Sequence, residues 1–136
     1  MNNLINISEG TSLAIHSLAL IAKKAPERLN IKYLARTLSV SESHLAKIFQ
    51  RLAKAGVVTS RRGPIGGFVL TEKCNDISIL DVLEIIEGKV IINNCPLGKS
   101  VCLFKKCVFG NKFGKLSKEI YEALKEFKIK EFYSEK

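Results

Sequence analysis

The 136-residue sequence contains no tryptophan and, despite a hydrophobic content of 46%, no long apolar run. No segment approaches the roughly 18 consecutive apolar residues of a membrane-spanning helix, so no membrane partner is expected. The opening residues, Met1-Asn2-Asn3-Leu4-Ile5-Asn6-Ile7, lack the charged start and cleavage site of a secretion signal. A cytoplasmic location is the expectation, and there structural disulfides are disfavoured. Also missing are a nucleotide-binding glycine fingerprint, a nucleophile with a neighbouring base, and a pair of catalytic carboxylates. No enzyme class is indicated. Acidic residues are scarce, 13 against 22 lysines and arginines, for a net charge of +9. The shortage is uneven: residues 1–73 hold 11 basic and 4 acidic side chains, residues 74–136 hold 11 and 9. Most of the positive excess thus lies in the N-terminal half, as a phosphate-facing module requires.

What is present is organised around positions 41–70. Leu45, Ile48, Phe49, Leu52 and Ala55 form one apolar side of a predicted helix. Ser43, His44, Lys47, Gln50, Arg51 and Lys54 fall mostly on the other side. Ser41 is placed to cap its start, and Gly56 to end it in a left-handed turn. The period then changes, and Val57-Val58-Thr59-Ser60 and Phe68-Val69-Leu70 become short strands around Arg61-Arg62-Gly63-Pro64-Ile65-Gly66-Gly67. Glycines in that turn let the backbone approach a phosphate or enter a narrow groove. Arg61 and Arg62 stand beside it, where guanidinium groups clamp phosphates or enter the minor groove. A basic helix followed by a basic, glycine-rich hairpin predicts a winged-helix DNA-binding protein.

The flanks agree. A first helix is expected from Ser8 or Glu9 to about Lys24, broken by Ala25-Pro26. Asn30 caps a short second helix over residues 31–38, with Ile31, Leu34, Ala35 and Leu38 inward. The turn Ser39-Val40-Ser41 completes a helix-turn-helix. Ser78 and Asp81 form a capping-box start for a fourth helix through Glu87, ended by Gly88, with Ile79, Val82, Leu83 and Ile86 inward. Residues 89–112 show no clean period. A long final helix is predicted from about Phe113 to Phe132, with Leu116, Ile120, Ala123 and Phe127 in one stripe. That apolar surface exceeds what one small core needs, so pairing with a second copy is expected, and a two-fold dimer matches a palindromic operator in double-stranded DNA. The fold class is mainly α with a small β-hairpin. Residues 1–88 form the winged helix-turn-helix, 89–112 a cysteine-containing loop and 113–136 a dimerisation helix.

Cys95, Cys102 and Cys107 place three thiols within one predicted loop. Thiolates favour soft metals, namely zinc or the iron of a cluster. Zinc sites commonly use a tighter cysteine pair, and the wider spacing suits a cluster. Lys99, Lys105 and Lys106 would lower thiol pKa values. Free thiols or reversible disulfides remain open alternatives. Cys74 stands apart and reads as a small packing residue.

Taken together, Ala55-Gly56-Val57-Val58, Ser60-Arg61-Arg62-Gly63, Gly66-Gly67-Phe68, Ile77-Ser78, Asp81-Val82-Leu83, Glu87-Gly88 and three spaced cysteines resemble the Rrf-two family. These are bacterial winged-helix transcription regulators with IscR- and NsrR-like members. The resemblance spans nearly the whole chain. It implies a homodimer crossed by the C-terminal helix. Each subunit would hold one iron–sulfur cluster, 2Fe–2S or 4Fe–4S, on Cys95, Cys102 and Cys107. It also implies DNA contact by Ser41, Ser43, His44, Lys47, Gln50 and Arg51 on the helix and by Arg61, Arg62, Gly66 and Gly67 in the wing. Gly110 stands where some members have a histidine ligand, which leaves Glu9, Ser12, His16 or an external ligand to fill the fourth position. A thiol- or zinc-based regulator is the nearer alternative, and a small iron–sulfur electron carrier the more distant one.

Overall fold

The computed structural model describes residues 4–98 and 101–132. Three helices, α1 (Glu9–Lys24), α2 (Ile31–Leu38) and α3 (Glu42–Lys54), precede a hairpin of β1 (Val58–Arg61) and β2 (Gly67–Leu70). A 3-10 turn (Glu72–Asp76), α4 (Ile79–Glu87), α5 (Phe113–Glu126) and a second 3-10 turn (Ile129–Phe132) follow. Short polar side chains set four of the helix starts. Ser8, Asn30 and Ser41 accept from the amides of Thr11, Tyr33 and His44, while Ser78 and Asp81 cap each other's amides reciprocally. Each such cap contributes about 1 kcal/mol. Gly56, at φ 80°, turns the chain from α3 into the hairpin as expected.

The core runs through all of the first four helices. Leu13, Leu18 and Ile21 of α1 meet Leu34 of α2, Leu45, Phe49 and Leu52 of α3, and Val82 and Ile86 of α4. Cys74 is fully buried among them. The wing is tied to this body at its base, where the rings of Phe49 and Phe68 lie 4.6 Å apart. The hairpin is antiparallel, pairing Val58 with Leu70 and Arg61 with Gly67. Leu29 adds a single antiparallel bridge to Phe68.

Two elements differ from expectation. On α4 the most buried side chains are Leu80, Val82 and Ile86, with Ile79 and Leu83 only half-buried. α5 is shorter than expected, ending at Glu126. Phe127 turns extended, and Ser78 and Lys128 form an antiparallel bridge. The amide of Ile79 donates to the carbonyl of Phe127 at 2.9 Å, and that of Ile129 to Ile77 at 3.0 Å. The reason is Ile129, which the break carries into the core with 0% exposure. Burying such a side chain is worth about 2–3 kcal/mol, more than a few further exposed helical residues supply. No residue of α5 is fully buried, and Leu116, Ile120 and Phe127 stay largely exposed. No helix among the described residues is long and apolar enough to cross a membrane.

Candidate DNA-binding face and cysteine site

On α3, apolar residues at 45, 48, 49 and 52 fix the inner face, which drives Ser43, His44, Lys47, Gln50 and Lys54 outward. All five are exposed. Ser41 is also exposed, with its hydroxyl engaged by the amide of His44. Ser43 approaches that hydroxyl at 3.5 Å. Arg51 is different. Its guanidinium donates to the backbone carbonyl of Ile86 in the last turn of α4.

In the wing, Arg61 and Arg62 are exposed on either side of the strand end. The three glycines do separate jobs. Gly63 has φ 122°, which L side chains rarely adopt. A Cβ on Gly66 would lie 3.0 Å from the carbonyl oxygen of Gly63 and 3.1 Å from that of Arg61, so its smallness closes the turn. A Cβ on Gly67 would lie 2.8 Å from the carbonyl carbon and oxygen of Leu29. Gly67 therefore serves the attachment of the wing to the body.

The cysteine loop leaves α4 at Gly88, whose φ of 94° redirects the chain. Glu84 holds the first loop residues, accepting from the amide of Val90 at 3.0 Å and pairing with Lys89 at 3.8 Å. Cys95, Cys102 and Cys107 line one concavity of about 450 Å³, whose other walls include Leu97, Val101, Phe104 and Phe109. Cys102 is exposed, and Cys95 and Cys107 are half-buried. The thiol of Cys107 is held below its ordinary pKa by backbone amides, first that of Asn111 and then that of Phe109, with Gly110 adding to the effect. Gly110 and Asn111 both have positive φ (68° and 59°), which turns successive amides to one side. Sequence reasoning looked to lysines for this effect. Lys105 and Lys106 are exposed and do not set it, and Lys99 lies outside the described residues. The signal that was missed is the Gly-Asn pair, a strong turn former.

The donor set suits a soft, sulfur-liganded group: three cysteines line one apolar-walled concavity, and the thiol of one is held below its ordinary pKa by backbone amides. Yet among the described residues no three Cys, His, Asp or Glu side chains converge closely enough to hold a single metal ion. Among the described residues, Glu9 and His16 of α1 form no such group with the cysteines. His16 is exposed, and its Nδ1 lies 2.6 Å from the carbonyl of Ser12.

The family model described as "Iron-dependent Transcriptional regulator", Rrf2 (Rrf-two), matches residues 7–135. The chain belongs to the Rrf2 family. Its fold is the winged helix of that family, and its function is transcription regulation through DNA rather than catalysis. Among curated relatives, the chain is similar to the HTH-type transcriptional regulator NsrR of Bacillus subtilis, 33% identical over 101 residues, spanning 73% of this chain and 69% of that one. Among solved structures it is similar to CymR of B. subtilis, described as the global cysteine regulator, with a TM-score of 0.75 at 22% identity, covering 98% of this chain and 99% of that one. It is also similar to IscR of T. potens, with a TM-score of 0.73 at 23% identity, covering 96% and 88%. At that identity the two structures speak for the fold.

Proposed function

We propose that this Rrf2 protein is a cytoplasmic, homodimeric DNA-binding regulator whose operator affinity is set by an iron–sulfur cluster held by Cys95, Cys102 and Cys107. The observation that carries the reading is the shared concavity of the three thiols, in a loop hung from the last turn of α4. Ser41, Ser43, His44, Lys47 and Gln50 of α3 would face the major groove, with the wing's Arg61 and Arg62 on the flanking backbone or minor groove and Gly66 keeping its turn narrow. The exposed stripe of Leu116, Ile120 and Phe127 supports pairing with a second copy, and a two-fold pair suits a palindromic operator. A cluster supplies redox and ligand-exchange chemistry sensitive to iron supply, nitric oxide or oxidants. The chain's residues would close the loop on it, offset its charge with the amides around Cys107, and pass the loop's position to α4.

A second reading, regulation by the thiols alone, is favoured by one observation. Among the described residues the three cysteines form no single-ion site, whereas backbone amides hold Cys107 toward its thiolate form. Anaerobic reconstitution followed by iron and sulfide analysis and a visible spectrum separates the two. The cluster reading expects iron and sulfide in comparable amounts, with bands lost in Cys102→Ser. A colourless protein after reconstitution would transfer the sensing role to the thiols.

A further inference from the structure

The last turn of α4 is where three parts of the molecule are fastened. From α1, Thr11 Oγ1 donates to Glu87 Oε2 at 2.7 Å, and Thr11 is itself fully buried. A Cβ on Gly10 would lie 3.3 Å from Ile86 Cγ2, so the start of α1 packs tightly on the same turn. From the other side, the Arg51 guanidinium of α3 takes the carbonyl of Ile86. Carbonyls in a helix's last turn have no intrahelical donor, and the end of the dipole there favours a cation. The third part is the cysteine loop, which leaves through Gly88 and is held to the same helix by Glu84 and Val90.

We infer that Arg51 is a positioning residue that ties the DNA-facing helix to the turn from which the cysteine loop departs, and is not itself a phosphate contact. This rests on the reading that α3 enters DNA and the loop senses. A change in the loop pulls on Glu84 and Gly88, shifts the carbonyl of Ile86, and so moves the outer face of α3 through one charge-assisted hydrogen bond. Thr11 and Glu87 form the counter-hold that makes the turn move as a unit rather than fray.

The test measures DNA affinity of the reconstituted and cluster-free forms over a salt series, for the wild type, Arg51→Met and Thr11→Val. Coupled sites commonly differ about 5- to 150-fold between states. In both variants this ratio should fall to within about threefold of one. The salt slope of the tighter form should remain unchanged. Because coupling is reciprocal, operator DNA should alter the alkylation rate of Cys102 in the cluster-free wild type but not in the variants. Equal weakening of both forms by Arg51→Met, with a salt slope lower by about one, would make Arg51 a plain phosphate contact and overturn the inference. A variant that keeps the wild-type ratio would overturn it too. If the two wild-type forms bind DNA equally, the sensing role of the loop falls and the inference with it. If neither form binds DNA, the proposed function itself fails.

Discussion

The amide of Phe68 donates to the carbonyl of Leu29 at 2.8 Å, a contact possible only because the neighbouring Gly67 has no side chain. This short bridge makes the segment before α2 a third rung of the wing. Gly67→Ala should force the strands apart and cost about 1–3 kcal/mol, as overpacking does. Chemical denaturation checks the cost. DNA affinity should fall as well, because the wing loses its fixed angle to α3.

Ile129 closes the body from the far end of the chain. It is fully buried and reached only because α5 stops at Glu126. Ile129→Ala should destabilise the protein by about 2–5 kcal/mol. A control on the exposed face of α5, Leu116→Ala, should leave the stability of the isolated subunit nearly unchanged while weakening self-association in sedimentation.

Arg61 and Arg62 are exposed, and neither side chain has a hydrogen bond or ion pair within the described residues. Replacing both with Ala should lower DNA affinity and reduce the salt slope by up to about two, the release expected for two phosphate contacts. The visible spectrum of the reconstituted protein should not change. Fluorescence anisotropy over a salt series provides the readout.

The depressed pKa of Cys107 gives a pH dependence of definite sign. A lowered folded-state value favours the thiolate in the folded chain, through the amides of Asn111 and Phe109. Any stability it contributes is present above the unfolded-state pKa and lost as pH falls through the folded one. In the cluster-free protein, alkylation of Cys107 should therefore persist to lower pH than in the denatured chain. Mass spectrometry resolved by residue reads this directly, and coincident profiles would remove the amide effect.

Much of this was legible in the sequence because the elements that matter are short and strongly punctuated. Ser8, Asn30, Ser41 and Ser78 announce four helix starts, and Gly56 and Gly88 two ends, through local backbone chemistry alone. The end of α5 was not legible. Its stop depends on a distant partner, the Ile77–Ile79 backbone, that takes the hydrogen bonds of Phe127 and Ile129. That Gly67 also fastens the wing to the body is not legible for a similar reason, since its near neighbour Leu29 is remote in sequence. On α3 the outer face followed from helical period, but the tie between Arg51 and Ile86 requires the packing of α4 to be known. The three cysteines were found by type and spacing, whereas the amides around Cys107 depend on two consecutive positive-φ residues.

The most direct measurement is the affinity of one reconstituted preparation for DNA fragments selected by it, before and after removal of iron with a chelator under anaerobic conditions. The account expects a change of roughly 10-fold or more between the two, reversed on reconstitution. The Cys102→Ser variant should be fixed at the iron-free value. Identical affinity with and without iron and sulfide, in a protein that binds both, would contradict it.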